Sequence, residues 1–231
     1  AILGVNTSFA ALVMEQDQSV DTAPSVGMYR FEVPVELQGT YNSAGVANLT
    51  ASMEKEPNTL SMNVAHVKGN PSESYVVEIY KDLAAIETHR KSDHYQAFVN
   101  EVGSKLTNRK MYDVQSVLLF EKKDALSIVN DGKAVVTLTE FTVDSNEIDT
   151  VQRQYQLDME RAVRDDAGYK AGYVLRERNA KNRWYVIQIY SDQEALTKHL
   201  NSPGYRFMMS QIQGSLQGVT TKVLDGDILV N

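Results

Sequence analysis

Apolar and polar positions in this chain repeat with a period of 110 residues. The stretch Tyr75–Phe98, YVVEIYKDLAAIETHRKSDHYQAF, aligns without a gap on Tyr185–Met208, YVIQIYSDQEALTKHLNSPGYRFM. Nine of the 24 pairs are identical: Tyr75/Tyr185, Val76/Val186, Ile79/Ile189, Tyr80/Tyr190, Asp82/Asp192, Ala85/Ala195, His89/His199, Ser92/Ser202 and Tyr95/Tyr205. Self-similarity at a fixed spacing marks a duplicated structural unit.

The pattern predicts the same elements in each copy. Ser25–Glu36 and Val135–Glu147 alternate with period two and read as strands. In the second copy Ile148, Val151, Tyr155, Met159, Ala162 and Val163 then form a helical stripe, with Ser145 placed as its N-cap. The first copy keeps Tyr41, Leu49 and Met53 on that stripe. It interleaves them with Gly39, Asn42, Gly45, Asn48 and Thr50, which are weak helix formers, so a shorter, frayed or distorted helix is expected. Second strands follow at Thr59–Lys68 and Tyr169–Arg178, and third strands open at Tyr75 and Tyr185. Asp82, Asp192, Ser92 and Ser202 sit where helix N-caps belong, with Pro203 suited to a first turn. Final strands are expected at Tyr112–Phe120 and Val219–Leu224.

Each copy reads β-α-β-β-α-β, the ferredoxin-like motif, so the class is α+β. In the third strands Tyr75, Val77 and Ile79 line one face and Val76, Glu78 and Tyr80 the other. Both faces are mostly apolar, whereas an antiparallel sheet with one wet face alternates cleanly. The expected cover for the outer face is the sister sheet, giving two tandem domains packed face to face as an intrachain pseudo-dimer. The divisions are an N-terminal arm or signal remnant plus linker over 1–24, a first domain over 25–120, a linker over 121–133 and a second domain over 134–231.

Composition narrows the function classes. With 23 Lys+Arg against 30 Asp+Glu the net charge is −7, and no basic run stands out, so nucleic acid is not an expected partner. There is no cysteine, which excludes disulfides, thiolate metal sites and Cys nucleophiles. No apolar run has the length of a membrane span. A cytoplasmic location is expected, or an extracytoplasmic one if residues 1–14 are the remnant of a signal.

Pro57-Asn58-Thr59-Leu60, the strand SYVVEIYKD and the helical pattern of Ala85, His89, Ser92, His94 and Tyr95 resemble the antibiotic biosynthesis monooxygenase domain. In the second copy Ala195, His199, Ser202 and Tyr205 repeat the pattern, but Gly204 replaces the second His. The resemblance covers roughly residues 25–120 and 134–225. It implies a dimeric α/β barrel with a pocket between helices and sheet. It also implies oxidation of aromatic or quinol-like small molecules by dioxygen without metal or flavin, hence no cofactor. Heme-degrading members place a ligating His about three turns beyond the His89 and His199 positions; this chain has Val99 and Met209 there, against heme chemistry.

The candidate catalytic residues are His89 and His199, as acid–base groups assisting substrate deprotonation. The candidate substrate-binding residues are Tyr80, Tyr190, Tyr95, Tyr205, Glu78, Gln188, Asn63, His66 and Arg176, with Asn63 and His66 on opposite faces of their strand. No metal site is expected, because His89 and His94 are five apart and would diverge on one regular helix. Two functions fit. One is a cofactor-independent monooxygenase acting on a small apolar or aromatic molecule. The other is a non-catalytic, duplicated ligand-binding or stress-related protein, suggested by the mismatched pairs Glu78/Gln188, His94/Gly204 and His66/Arg176.

Overall fold

The structure is a computed structural model and describes residues 12–13, 24–122 and 126–231. Its strands are β1 (Leu12–Val13), β2 (Ser25–Glu32), β3 (Thr59–Val67), β4 (Asn70–Tyr80), β5 (Thr107–Tyr112), β6 (Val114–Glu121), β7 (Ser127–Val129), β8 (Val135–Val143), β9 (Tyr169–Glu177), β10 (Arg183–Tyr190) and β11 (Leu216–Val230). The helices are α1 (Gln38–Lys55), α2 (Leu83–Arg90), α3 (Asp93–Glu101), α4 (Ile148–Asp165), α5 (Gln193–Leu200) and α6 (Pro203–Ile212). Each copy is a ferredoxin-like β-α-β-β-α-β unit whose helical return is split in two. None of the described helices is long and apolar enough to cross a membrane.

The first compact unit takes residues 24–114, 126–132 and 224–231. Its strand order is β11-β3-β4-β2-β5, with β7 beside β11. The second takes 12–13, 115–122 and 133–223, in the order β1-β6-β9-β10-β8-β11. The strand that closes each copy therefore has two parts. β5 pairs with β2 of its own copy, while β6, beyond Asp113, lies beside β9. β11 runs alongside β8 and then, from Leu224 to Val230, pairs with β3.

The register is the same in both copies. Val64 lies opposite Val76 and Val174 opposite Val186, while Arg30 meets Tyr75 and Glu140 meets Tyr185. Residues 110 apart are thus structural equivalents.

Four local expectations are corrected. First, α1 is not short: it spans 18 residues, as α4 does. Its buried stripe is Ala44, Gly45, Asn48, Leu49 and Ser52, so small residues bring the backbone close to the sheet and packing outweighs propensity. A Cβ on Gly45 would meet Ile228 Cδ1 at 3.2 Å. Second, Ser145 does not cap α4, whose N-cap is Glu147 without a side-chain bond. Third, the 121–133 segment is not merely a linker, since it carries β7, paired with Ile228–Val230. Fourth, Tyr112 ends β5, and β6 forms the rest of the expected final strand.

The caps of the split helices are as expected. Asp82 and Asp192 accept from the Ala85 and Ala195 amides, and Ser92 and Ser202 from those of Tyr95 and Tyr205. Of the N-terminal arm only Leu12, Val13 and Pro24 fall among the described residues; Leu12 and Val13 pair with Leu119 and Leu118.

Candidate functional site

Between α1, α2, α3 and the sheet of the first unit lies a cavity of about 320 Å³. The sheet supplies Val64, His66, Ser74, Val76, Glu78 and Tyr80 to it, and the helices supply Tyr41, Asn48, His89 and Tyr95. Aromatic rings form part of its walls: Tyr29 stacks on Phe31 at 6.0 Å, and Tyr41 lies 6.2 Å from Phe98. Apolar side chains and rings share the lining with polar groups that include Glu78, Arg90, Arg109 and Asp227, the mixed anatomy of a small-molecule site.

Glu78 is the central one. Tyr80, next on the same strand face, donates its hydroxyl hydrogen to Glu78 Oε2. Burial pushes the Glu78 carboxyl above the ordinary range, more than His89, the Tyr80 bond and Arg90 pull it down. Burial, then the Glu78 charge, raises the Tyr29 phenol, against a hydrogen bond and charge from Arg90. Two more polar atoms of cavity-lining residues, Asn48 Oδ1 and His89 Nε2, are buried without a hydrogen-bond partner. Such atoms cost free energy unless a ligand or water satisfies them.

Ser74 stands four residues from Glu78 on β4, about 13 Å at strand rise. There Tyr41 and Ser74 hydroxyls lie 2.7 Å apart, and His66 Nδ1 lies 2.8 Å from Asp227 Oδ2. Asp227 belongs to β11, so the last strand of the chain completes this wall. The Asp227 hydrogen bond raises the His66 imidazole above its ordinary value, against burial.

Behind His89 lies a cluster of three groups. The helix breaks between α2 and α3, so His89 and His94 do not share a helix and the divergence expected from their spacing does not occur. Their rings are 5.9 Å apart, and both face Glu56, the C-cap of α1. His89 Nδ1 is 3.0 Å from Glu56 Oε2, His94 Nε2 contacts the same oxygen, and Thr59 donates to Oε1 at 2.7 Å. Burial raises the Glu56 carboxyl, but the bonds from Thr59, His89 and His94 outweigh it and leave it below the ordinary range.

The second copy has the same frame with different contents. Tyr155 stands where the first has Gly45, Trp184 where it has Ser74, and Tyr169 where it has Thr59. All three are buried, in one core with Phe141, Met159 and Tyr190. Tyr169 takes up space above Gly172, whose Cβ would lie 2.1 Å from its hydroxyl; the first copy has Met62 at that position. His199 is buried within 5.0 to 5.6 Å of the rings of Tyr169, Tyr190 and Tyr205.

Of the candidates named from sequence, the cavity gathers His89, Tyr80, Tyr95, Glu78 and His66. Asn63 is outside it, buried and bonded to Ser61 and Val77 O. His199, Tyr190, Tyr205, Gln188 and Arg176 belong to the second unit, where Gln188 accepts from Tyr169 at 2.8 Å. Tyr29, Tyr41, Asn48, Arg90 and Asp227 were missed, and nothing in the local pattern singles them out. Glu56 had a signal, since its equivalent Asp166 is also acidic.

Solved structures share this fold. A "putative monooxygenase" from Lactobacillus acidophilus NCFM superposes with a TM-score of 0.79 at 18% identity, over 90% of this chain and 96% of that one. Another from Fusobacterium nucleatum subsp. nucleatum gives 0.76 at 21%, over 91% and 95%. An anthrone oxidase-like protein gives 0.55 at 10%, over 90% and 93%. No curated protein matches the sequence. The antibiotic biosynthesis monooxygenase family matches twice, over residues 26–101 and 134–210, one match per copy, and the chain belongs to that family.

Proposed function

We propose that the protein is a cofactor-independent monooxygenase whose first copy alone is catalytic, acting on a planar aromatic or quinol-like molecule. The observation that carries this is the first-copy cavity, where a carboxylate of raised pKa sits among aromatic rings beside unpartnered Asn48 Oδ1 and His89 Nε2. A carboxyl of raised pKa is a stronger base once ionised, suited to taking a proton from an activated C–H or phenolic O–H. The anthrone oxidase-like neighbour supports the substrate class by analogy.

Glu78 accepts the proton, and the substrate carbanion passes one electron to dioxygen. The radical pair combines to a peroxide anion, which takes the proton back from Glu78 to give a hydroperoxide; this loses water to leave a carbonyl and restores the Glu78 carboxylate. The balance is SH2 + O2 → S=O + H2O. The rings of Tyr29, Phe31, Tyr41 and Phe98 hold the substrate's plane. The second copy supplies structure, with Tyr155 and Trp184 packed in its core where the first copy has the cavity-lining Gly45 and Ser74.

Oxygen uptake with anthrones and quinols tests the proposal. Glu78→Gln is expected to lower the rate about 10²-fold or more, the typical contribution of a general base, while His199→Gln leaves it within a few-fold. No uptake together with a tightly held, unturned aromatic ligand in native mass spectrometry would point to the binding-protein alternative instead.

A further inference from the structure

We propose that Glu56, His89 and His94 form a binding site for one divalent transition cation of the zinc class, beside the cavity and sharing with it His89, whose Nδ1 faces Glu56. Their three ligand atoms lie within 4.8 Å of one another, and the groups are buried or nearly so. Two imidazoles and one carboxylate are a recurrent donor set for first-row divalent cations, which keeps further coordination positions for water. The site is built rather than incidental. Glu56 is fixed at the end of α1 and held by Thr59, while His89 comes from the last turn of α2 and His94 from the first turn of α3.

The second copy supplies the control. There Asp166 replaces Glu56, Gly204 replaces His94, and Arg161 stands at the position of Ala51. The Arg161 guanidinium lies 3.0 Å from Asp158 and 3.3 Å from Asp166. A Cβ on Gly204 would fall 2.2 Å from Arg161 Nε, so the arginine passes through the space that the His94 side chain leaves from. The second copy thus carries its own cation. The first has exchanged that arginine for alanine and set a second imidazole against the carboxylate. A free cation would do there what Arg161 does in the sister copy, and it would tie α1, α2 and α3 together behind the cavity.

The test uses the full chain, stripped with chelator and free of any affinity tag. Co²⁺ absorption and calorimetry with Zn²⁺ and Ni²⁺ should give one equivalent per chain and a raised melting temperature. Glu56→Gln and His94→Gln should each weaken binding beyond the about 10–100-fold that loss of an outer-shell partner costs. His66→Gln, removing the imidazole beside Asp225 and Asp227, should bind as the wild type does. The double variant Ala51→Arg/His94→Gly transplants the second copy's arrangement and should fold without metal and bind none. Absence of cation binding by the wild type, or binding that survives in His94→Gln or in the transplant, would overturn the proposal.

Discussion

Tyr80 donates its phenolic hydrogen to Glu78 two residues away on one face of β4, and both side chains line the first-copy cavity. This bond favours the ionised carboxylate while burial opposes it, and burial wins. Oxidation should therefore rise with pH through an apparent pKa above the ordinary carboxylate value, because only ionised Glu78 accepts a proton. In Tyr80→Phe the stabilising donor is lost, so that acid limb should move to higher pH. A pH–rate profile of oxygen uptake measures both; an unmoved limb in Tyr80→Phe would show that Glu78 does not set it.

Gly45→Tyr copies Tyr155 into the first copy. Its Cβ would meet only the flexible end of Ile228, so the chain should fold while the ring fills the cavity and turnover is lost. The reverse change, Tyr155→Gly, should empty packed space and cost about 3–5 kcal/mol, as aromatic truncations in cores do. Thermal melts and oxygen uptake on the two variants check the pair.

His66 is held above its ordinary pKa chiefly by its hydrogen bond to Asp227. A group whose folded pKa is raised binds its proton more tightly in the folded state. Its contribution is thus fully present below the unfolded His value and is lost as pH rises through the folded one. Wild type should lose stability between about pH 6.5 and the folded pKa, relative to Asp227→Asn. Urea unfolding across that window, comparing the two, reads the difference; parallel curves would argue against the pair.

Ser92 and Ser202 both cap their helices by accepting an amide hydrogen. Ser92→Ala and Ser202→Ala should each cost about 1 kcal/mol. The first should also disturb the Glu56 cluster, because α3 begins at that cap and carries His94. Comparing the two variants by chemical denaturation and by the His94 imidazole NMR signals separates the effects.

A fragment of residues 134–231 lacks β6, the strand beside β9, and carries the end of β11, which pairs with β3 of the other unit. An open edge on β9 invites pairing with another chain. A fragment of 113–223 keeps that neighbour and should be the better-folded of the two. Sedimentation and thermal melts of both decide; a stable, monomeric 134–231 would contradict the argument.

The sequence by itself determined the duplication, the α+β order of elements and the split-helix caps. These depend on local chemistry repeated at fixed spacing: an Asp or Ser oxygen facing its own helix amides, and alternation along strands. It also brought forward Glu78, Tyr80, His66 and His89, because strand alternation and copy-to-copy identity mark them. Tertiary structure alone decided the rest. The helix α1 forms despite Gly45 and Asn48 because packing against the sheet outweighs propensity. Asp227 reaches His66 from 161 residues away, and no local pattern encodes that pairing. His89 and His94 converge because the helix breaks between them, where a spacing rule assumes that it continues. Above all, the contrast between the copies is one of volume: Gly45 and Ser74 line the first-copy cavity where the second copy packs Tyr155 and Trp184 into its core, and side-chain volumes become a cavity or a core only once a fold brings them to one place.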